Sequence, residues 1–316
     1  MTGLTFLDDE QVTALTPWPA LIDALRDAFR YGGVSPVRHQ HSIPGNDRED
    51  IALLLMPAWN EEGDFGVKLA TIAPSNAALS IPTLHGVYVL FSGATGIPRA
   101  ILDAGALTAR RTAAASALAS RYLSRPDSKT LLIIGTGRVA RQLISAHCSV
   151  RPIEEVRIWG RSGTHAQDAA DAASRETGIS CVCVPDVATG ASGADIISSA
   201  TPAENPLLQG GWVDPGTHVD LVGAYKPTMC EADAELIGKA DRVFVDTIEG
   251  AKDEAGDLIQ AVQAGAFSFD EIAGDMYRMS LQDGSLRNDS DEITLFKSVG
   301  TALQDLAAAQ LCVQHV

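Results

Sequence analysis

The run Leu131-Leu132-Ile133-Ile134-Gly135-Thr136-Gly137-Arg138-Val139-Ala140 constrains this chain more than any other segment. An apolar strand runs directly into a glycine turn, and a helix opens after it. Gly135 permits the tight turn, Gly137 lets backbone approach a diphosphate, and Ala140 lets the new helix lie close to the sheet. The unpaired N–H groups and positive dipole end of that helix suit an anion. The pattern predicts a dinucleotide site and, with it, a redox enzyme.

A short glycine pattern is weak by itself, and its surroundings supply the rest. Residues 155–159, 180–184, 195–199, 218–222 and 242–246 read as further short apolar strands separated by helical stretches. Such runs suit a parallel sheet covered on both faces. The end of the second strand selects the cofactor, because an acidic residue there would bind the ribose 2′-hydroxyl of NAD. The chain instead reads Trp159-Gly160-Arg161-Ser162. Arg161 offers a guanidinium fork to a 2′-phosphate and Ser162 a hydroxyl, which favours NADPH over NADH.

With 316 residues the chain is long enough for two domains. Its net charge of −16 argues against nucleic acid and anionic membrane as partners. No apolar run is long enough to span a bilayer, and the first ten residues lack a basic region followed by an apolar core. The expected location is the cytoplasm. The five cysteines are odd in number and lack framework spacing, which predicts free thiols. Cys181 and Cys183, two apart on a predicted strand, read as core packing. His39 and His41 share a face without a third metal ligand nearby, and no metal is expected.

Residues 9–32 read as an amphipathic helical region and residues 50–91 as strand-rich. An Ala-rich helix runs from about residue 104 to 123. The polar, proline-containing segment 124–129 reads as a connector between domains, and residues 283–291 as a polar loop. The last stretch, 293–312, has helical apolar spacing and is expected to return to the first domain. Three cations stand out in this acidic chain: Arg38, Lys68 inside an apolar strand, and Arg111 on the Ala-rich helix. A buried lysine is costly unless paired, so Lys68 is expected to face a site or a carboxylate. Together the three could hold a substrate carboxylate.

These residues resemble the ornithine cyclodeaminase/mu-crystallin family along almost the whole chain. The matching pieces are Arg38 after Pro36, Gly66-Val67-Lys68, Ile81-Pro82-Thr83-Leu84-His85-Gly86, Leu107-Thr108 with Arg111-Thr112-Ala113-Ala114, the Gly135-Thr136-Gly137 turn, and Lys297-Ser298-Val299-Gly300 followed by Asp305. Their order and spacing are specific where no single piece is. The resemblance implies an α/β chain with a doubly wound Rossmann domain over residues 126–293. It further implies a discontinuous α+β substrate and dimerisation domain from residues 1–125 with 294–316, and a homodimer.

The resemblance also implies that Arg38, Lys68 and Arg111 hold the substrate carboxylate, with Thr83 lining the same pocket and Lys68 as the catalytic residue. The cofactor-binding set it suggests comprises Thr112, Gly135, Thr136, Gly137, Arg138, Val139, Arg161, Ser162, Ala200, Thr201, Val222, Gly223, Ser298 and Gly300. One departure matters. Ornithine cyclodeaminases carry an aspartate shortly after the glycine of the fifth strand, and the ungapped position here is Tyr225. A tyrosine, with a pKa of about 10, is a poor acceptor for a proton from an amine. The stretch from Gly223 to Asp233 looks instead like family members that reduce cyclic imino acids. The expected activity is NAD(P)H-dependent reduction of Δ1-pyrroline-2-carboxylate to L-proline and of Δ1-piperideine-2-carboxylate to L-pipecolate. The alternatives are ornithine cyclodeaminase or alanine dehydrogenase activity, and a non-catalytic NADPH- or ligand-binding protein.

Overall fold

The structure is a computed structural model that describes residues 3–45, 48–60, 63–79 and 81–314. The chain divides into two compact units, Met1–Arg111 with Thr301–Val316, and Thr112–Gly300. The first unit is therefore discontinuous. The division falls inside the Ala-rich helix and at Gly300, not at the expected 125/126 and 293/294. The helix carries the chain from one unit into the other without a break, so the polar connector at 124–129 marks the helix end and not the unit boundary.

The first unit contains β1 (Thr5–Leu7), α1 (Asp9–Ala14), α2 (Trp18–Tyr31), β2 (His39–Ile43), β3 (Ile51–Trp59), β4 (Phe65–Ile72), β5 (Leu84–Phe91), β6 (Pro98–Asp103) and the start of α3 (Ala104–Leu123). The expected single helical region at 9–32 is two helices. Pro17 begins the second at its N-terminal edge, where a missing N–H costs nothing, and the first stops at Ala14. The six strands lie in the order β1-β6-β5-β4-β3-β2, antiparallel except for β1 against β6. Burial alternates along β3, β4 and β5. The face bearing Leu54, Met56, Lys68, Ala70, Tyr88 and Leu90 is buried, with α11 (Ala302–Val313) packed on these strands and on α2. The opposite face presents half-buried Leu53, Leu55, Val67, Leu69, Val87 and Val89.

The second unit alternates strand and helix. It runs through β7 (Thr130–Ile134), α4 (Arg138–Cys148), β8 (Glu155–Trp159), α5 (Gly163–Thr177), β9 (Ser180–Cys183), α6 (Val187–Ala191), β10 (Ile196–Ser199) and β11 (His218–Leu221). It continues with α7 (Ala234–Lys239), β12 (Arg242–Val245), α8 (Ile248–Glu254), α9 (Gly256–Gln263), β13 (Ile272–Asp275), α10 (Met276–Ser280) and β14 (Thr294–Lys297). All eight strands are parallel, in the order β13-β12-β14-β11-β10-β7-β8-β9. The chain leaves β7 in one direction through β8 and β9, then crosses to β10 on its other side. That is the switch point at which doubly wound sheets bind ligands. The expected helix over 293–312 is corrected in its first half. Residues Thr294–Lys297 form a strand between β11 and β12, and the helix begins only after the Thr301 cap.

No helix is long and apolar enough to cross a membrane, and no cluster of three or more metal-ligating side chains occurs, among the described residues. All five cysteines are free thiols.

Candidate active site

Lys68 projects from β4 onto the covered face of the first sheet, opposite Met56 on β3 and Tyr88 on β5. It is 4% exposed, and its ammonium lies 2.7 Å from a carboxylate oxygen of Asp305, itself 0% exposed. The other Asp305 oxygen accepts from Arg111 Nε at 3.0 Å, and Arg111 Nη1 donates to Gln304 Oε1 at 2.7 Å. Lys68 also reaches Thr108 Oγ1 at 3.3 Å. One carboxylate on α11 thus binds a cation from β4 and a cation from α3. Helix α11 places Gln304 and Asp305 because Thr301 caps it: the Thr301 hydroxyl accepts from the Leu303 amide at 3.2 Å and meets Ser35 Oγ at 2.9 Å.

The electrostatics follow from this packing. Burial lowers Lys68 to about 8; the Asp305 charge opposes that fall, and the charges of Arg111 and Arg38 add to it. Burial alone would push the Asp305 carboxyl up. The Arg111 and Lys68 charges, with their hydrogen bonds, outweigh it and hold Asp305 below the usual carboxylate range. Arg38 is half-buried, and its charge is felt at Lys68. The three expected cations therefore share one neighbourhood. Thr83 is exposed in the loop before β5, where its carbonyl accepts from the Ala73 amide at 2.8 Å, and its hydroxyl has no partner among the described residues.

In the second unit, a cleft of about 530 Å³ opens at the C-terminal ends of β7, β8 and β10. Its lining includes seven expected cofactor residues, Gly135, Thr136, Gly137, Arg161, Ser162, Ala200 and Thr201, together with His165. The residues fit a dinucleotide. Gly135 has φ +126°, and a Cβ there would lie 2.8 Å from the Ala200 carbonyl. A Cβ on Gly137 would meet nothing within 4 Å, so the backbone at the start of α4 is open to a ligand. The turn is tied down by the Gly135 amide to the Trp159 carbonyl at 2.8 Å and by Arg141 Nε to the Thr136 carbonyl at 3.2 Å.

Arg161 is exposed at this cleft without a partner among the described residues. The Ser162 oxygen accepts from the His165 amide at 3.3 Å and caps α5, which leaves its O–H free to donate. Among the described residues no carboxylate lines the cleft. Arg138 and Val139 form the first turn of α4 beyond Gly137. Val222 and Gly223 follow β11, and a Cβ on Gly223 would collide with the Thr201 backbone. Arg138, Val139, Val222 and Gly223 adjoin this lining without being part of it, and Thr112, Ser298 and Gly300 are likewise outside it. Thr112 is buried in α3. The Ser298 hydroxyl and the Gly300 amide both donate to Asp246 Oδ2, at 2.9 and 2.6 Å.

Sequence reasoning missed the groups that organise the sites: Gln304, Asp246, Glu231 and the role of Asp305. Each lies in a run of apolar or small residues, as in Met229-Cys230-Glu231-Ala232, and that isolation was the available signal. Tyr225, the residue expected to match the cyclodeaminase aspartate, is partly buried and packs on the apolar core of the second unit.

The family profile of the ornithine cyclodeaminases and mu-crystallins matches residues 5–316. The chain belongs to the ornithine cyclodeaminase/mu-crystallin family. It is 38% identical to a Δ1-pyrroline-2-carboxylate reductase of Colwellia psychrerythraea, over 99% of each chain. Among solved structures it is similar to Thermococcus litoralis Δ1-pyrroline-2-carboxylate reductase in complex with NADH and L-proline, with a TM-score of 0.92, 30% identity and 98% and 97% of the two chains covered. It is similar also to an archaeal alanine dehydrogenase dimer with bound NAD, with a TM-score of 0.88, 30% identity and 98% and 95% covered.

Proposed function

We propose that the chain is an NAD(P)H-dependent ketimine reductase that converts Δ1-pyrroline-2-carboxylate to L-proline and Δ1-piperideine-2-carboxylate to L-pipecolate. The observation that carries the reading is the Lys68–Asp305–Arg111 cluster beside Arg38, a concentration of positive charge in a chain of net charge −16. The relatives that reduce pyrroline-2-carboxylate, and the Thermococcus litoralis enzyme that holds L-proline, support the same substrate class.

Arg111 spends two of its N–H donors on Asp305 and Gln304. Its remaining donors are available to a substrate carboxylate, with Lys68 and Arg38 adding charge. Asp305 holds Lys68 and Arg111 in place before substrate arrives, so little ordering remains to be done on binding. The substrate carboxylate is attached to the C2 carbon of the C=N bond, and fixing it orients that carbon. When bound, the nicotinamide supplies the hydride that C2 accepts. The iminium nitrogen already carries its proton, and the C=N electron pair becomes the amine lone pair, so the step needs no covalent nucleophile from the protein. At position 225 a packed tyrosine stands where a cyclodeaminase has its carboxylate, which argues against proton removal from an amine substrate.

Gly135, Thr136 and Gly137, with the N-terminus of α4 carrying Arg138 and Val139, are assigned to the diphosphate, and Ala200, Thr201, Val222 and Gly223 to the cofactor beyond it. Arg161 and the Ser162 hydroxyl favour the 2′-phosphate of NADPH, although the solved relatives hold NADH or NAD. The half-buried apolar face of the first sheet fits a second copy of the chain, in keeping with the alanine dehydrogenase dimer. Five free thiols suit a reducing compartment, the cytoplasm.

Incubation with L-ornithine and NAD tests the reading against its neighbour in the family. No ammonia should appear, whereas cyclic imines should be reduced. Ammonia released from ornithine, with no imine reduction, would overturn it.

A further inference from the structure

Beneath the cofactor cleft, Glu231 is completely buried, and its carboxylate collects five hydrogen bonds from two loops. At the end of β10, the Ser199 hydroxyl, the Thr201 amide and the Thr201 hydroxyl donate to Oε1 at 2.6, 2.7 and 3.0 Å. After β11, the Gly223 and Ala224 amides donate to Oε2 at 2.5 and 3.2 Å. Each oxygen therefore serves one loop. The two loops touch, since only a glycine at 223 clears the Thr201 backbone. Thr201 lines the cleft. Glu231 is anchored in turn: its own amide and that of Ala232 donate to Asp257 Oδ1 at 2.6 and 3.0 Å, and the other Asp257 oxygen lies 2.8 Å from the Lys297 ammonium.

We propose that Glu231 is a positioning residue of the cofactor site, a single carboxylate that locks the loops ending β10 and β11 into the arrangement that receives the dinucleotide. The inference rests on the reading of the second unit as NAD(P)H-binding. Its physical basis is that an ionised carboxylate only accepts hydrogen bonds, and here donors use all of its capacity. A glutamine would turn an NH2 group toward the donors of one loop or the other, whichever way it is oriented. A protonated acid would likewise place a hydrogen against a donor.

Charge and burial make the device sensitive to pH. Burial pushes the Glu231 carboxyl up, to about 7, and Asp257 adds to the rise, while the Lys297 charge and the hydrogen bonds from Ser199 and Thr201 oppose it. The titratable groups facing it are Asp257 on α9, Lys297 on β14 and Cys230, whose thiol burial raises to about 12. As pH rises through about 7, Glu231 ionises and the loops tighten. Stability moves the other way. The folded chain keeps this proton between the ordinary carboxyl value of 4.5 and about 7, so this group's contribution to stability falls as pH rises across that window. A purely structural role would show the second trend without the first.

The test titrates the intact protein with NADH by nucleotide fluorescence at pH 6 and pH 8. NADH lacks the 2′-phosphate, so the ionisation of that group does not enter the pH dependence. The wild-type Kd should fall about tenfold between those values, as expected for one proton. Glu231→Gln should bind NADH and NADPH at least tenfold more weakly, by the same factor for both, with no dependence on pH. Ser199→Ala, which removes one donor, should weaken both about threefold and keep the pH dependence. A folded Glu231→Gln protein with a Kd within twofold of wild type would overturn the inference. If that variant does not fold, a wild-type Kd flat with pH together with an unchanged Ser199→Ala Kd would do so. Wild-type protein that binds neither cofactor would instead overturn the nucleotide reading itself.

Discussion

Replacing Arg111 by methionine tests the carboxylate site at its most constrained member. Arg111 is 5% exposed and is held at 3.0 Å by Asp305 and at 2.7 Å by Gln304. The substitution leaves Asp305 paired with Lys68 at 2.7 Å, so no uncompensated buried charge results. Gln304 Oε1 loses its donor, at a cost of about 1–3 kcal/mol in stability, or a fall of roughly 2–12 °C in Tm. The substrate loses one charge-assisted contact worth about 1.5–3 kcal/mol, which corresponds to a rise of roughly 10- to 150-fold in KM for the imine. Arg111 also lowers the Lys68 pKa, so the alkaline limb of the pH profile should move upward in the variant. Steady-state kinetics with pyrroline-2-carboxylate, a pH series and cofactor titration measure all of these. Cofactor Kd should stay within twofold, because the cofactor cleft is built from other residues. A folded variant with KM within threefold of wild type would refute the reasoning.

Three further outcomes are expected. Arg161→Ala should weaken NADPH at least tenfold and NADH less than twofold in fluorescence titrations; equal losses would remove Arg161 from 2′-phosphate recognition. Affinity for pyrrole-2-carboxylate, whose ring nitrogen does not titrate in this range, should decline above pH about 8 as Lys68 loses its proton. Over the window from about 8 to 10.5 the unfolded chain holds more protons than the folded one, so the Lys68 contribution to stability rises while affinity falls; an inhibition constant that is flat to pH 10 would contradict this. Aspartate at Leu55 and Val89, on the half-buried sheet face, should shift sedimentation from dimer to monomer, and an unchanged sedimentation coefficient would exclude that face as the contact.

Parts of the architecture that depend on neighbouring residues were legible in the chain. Strand β7, its glycine turn and α4 are contiguous, β8 has the expected bounds Glu155–Trp159, and α3 spans the Ala-rich run Ala104–Leu123. Strand β14 was not legible, because Thr294–Lys297 lies only a few residues before α11 and its apolar positions merge with the helical spacing of that segment. Strand β13, only four residues long, carries an equally weak signal. The cations Arg38, Lys68 and Arg111 could be singled out as unusual in an acidic chain. Their organiser could not, since Arg111 and Asp305 lie 194 residues apart. Glu231 and Asp246 were hidden for the same reason: their roles exist only once separate loops of the second unit have folded onto them.

The most direct measurement follows oxidation of NADPH and NADH in parallel, with Δ1-pyrroline-2-carboxylate and Δ1-piperideine-2-carboxylate as substrates. The account predicts turnover of the cyclic imine to L-proline or L-pipecolate, faster at limiting NADPH than at limiting NADH. Folded protein that oxidises neither cofactor with either imine would contradict it.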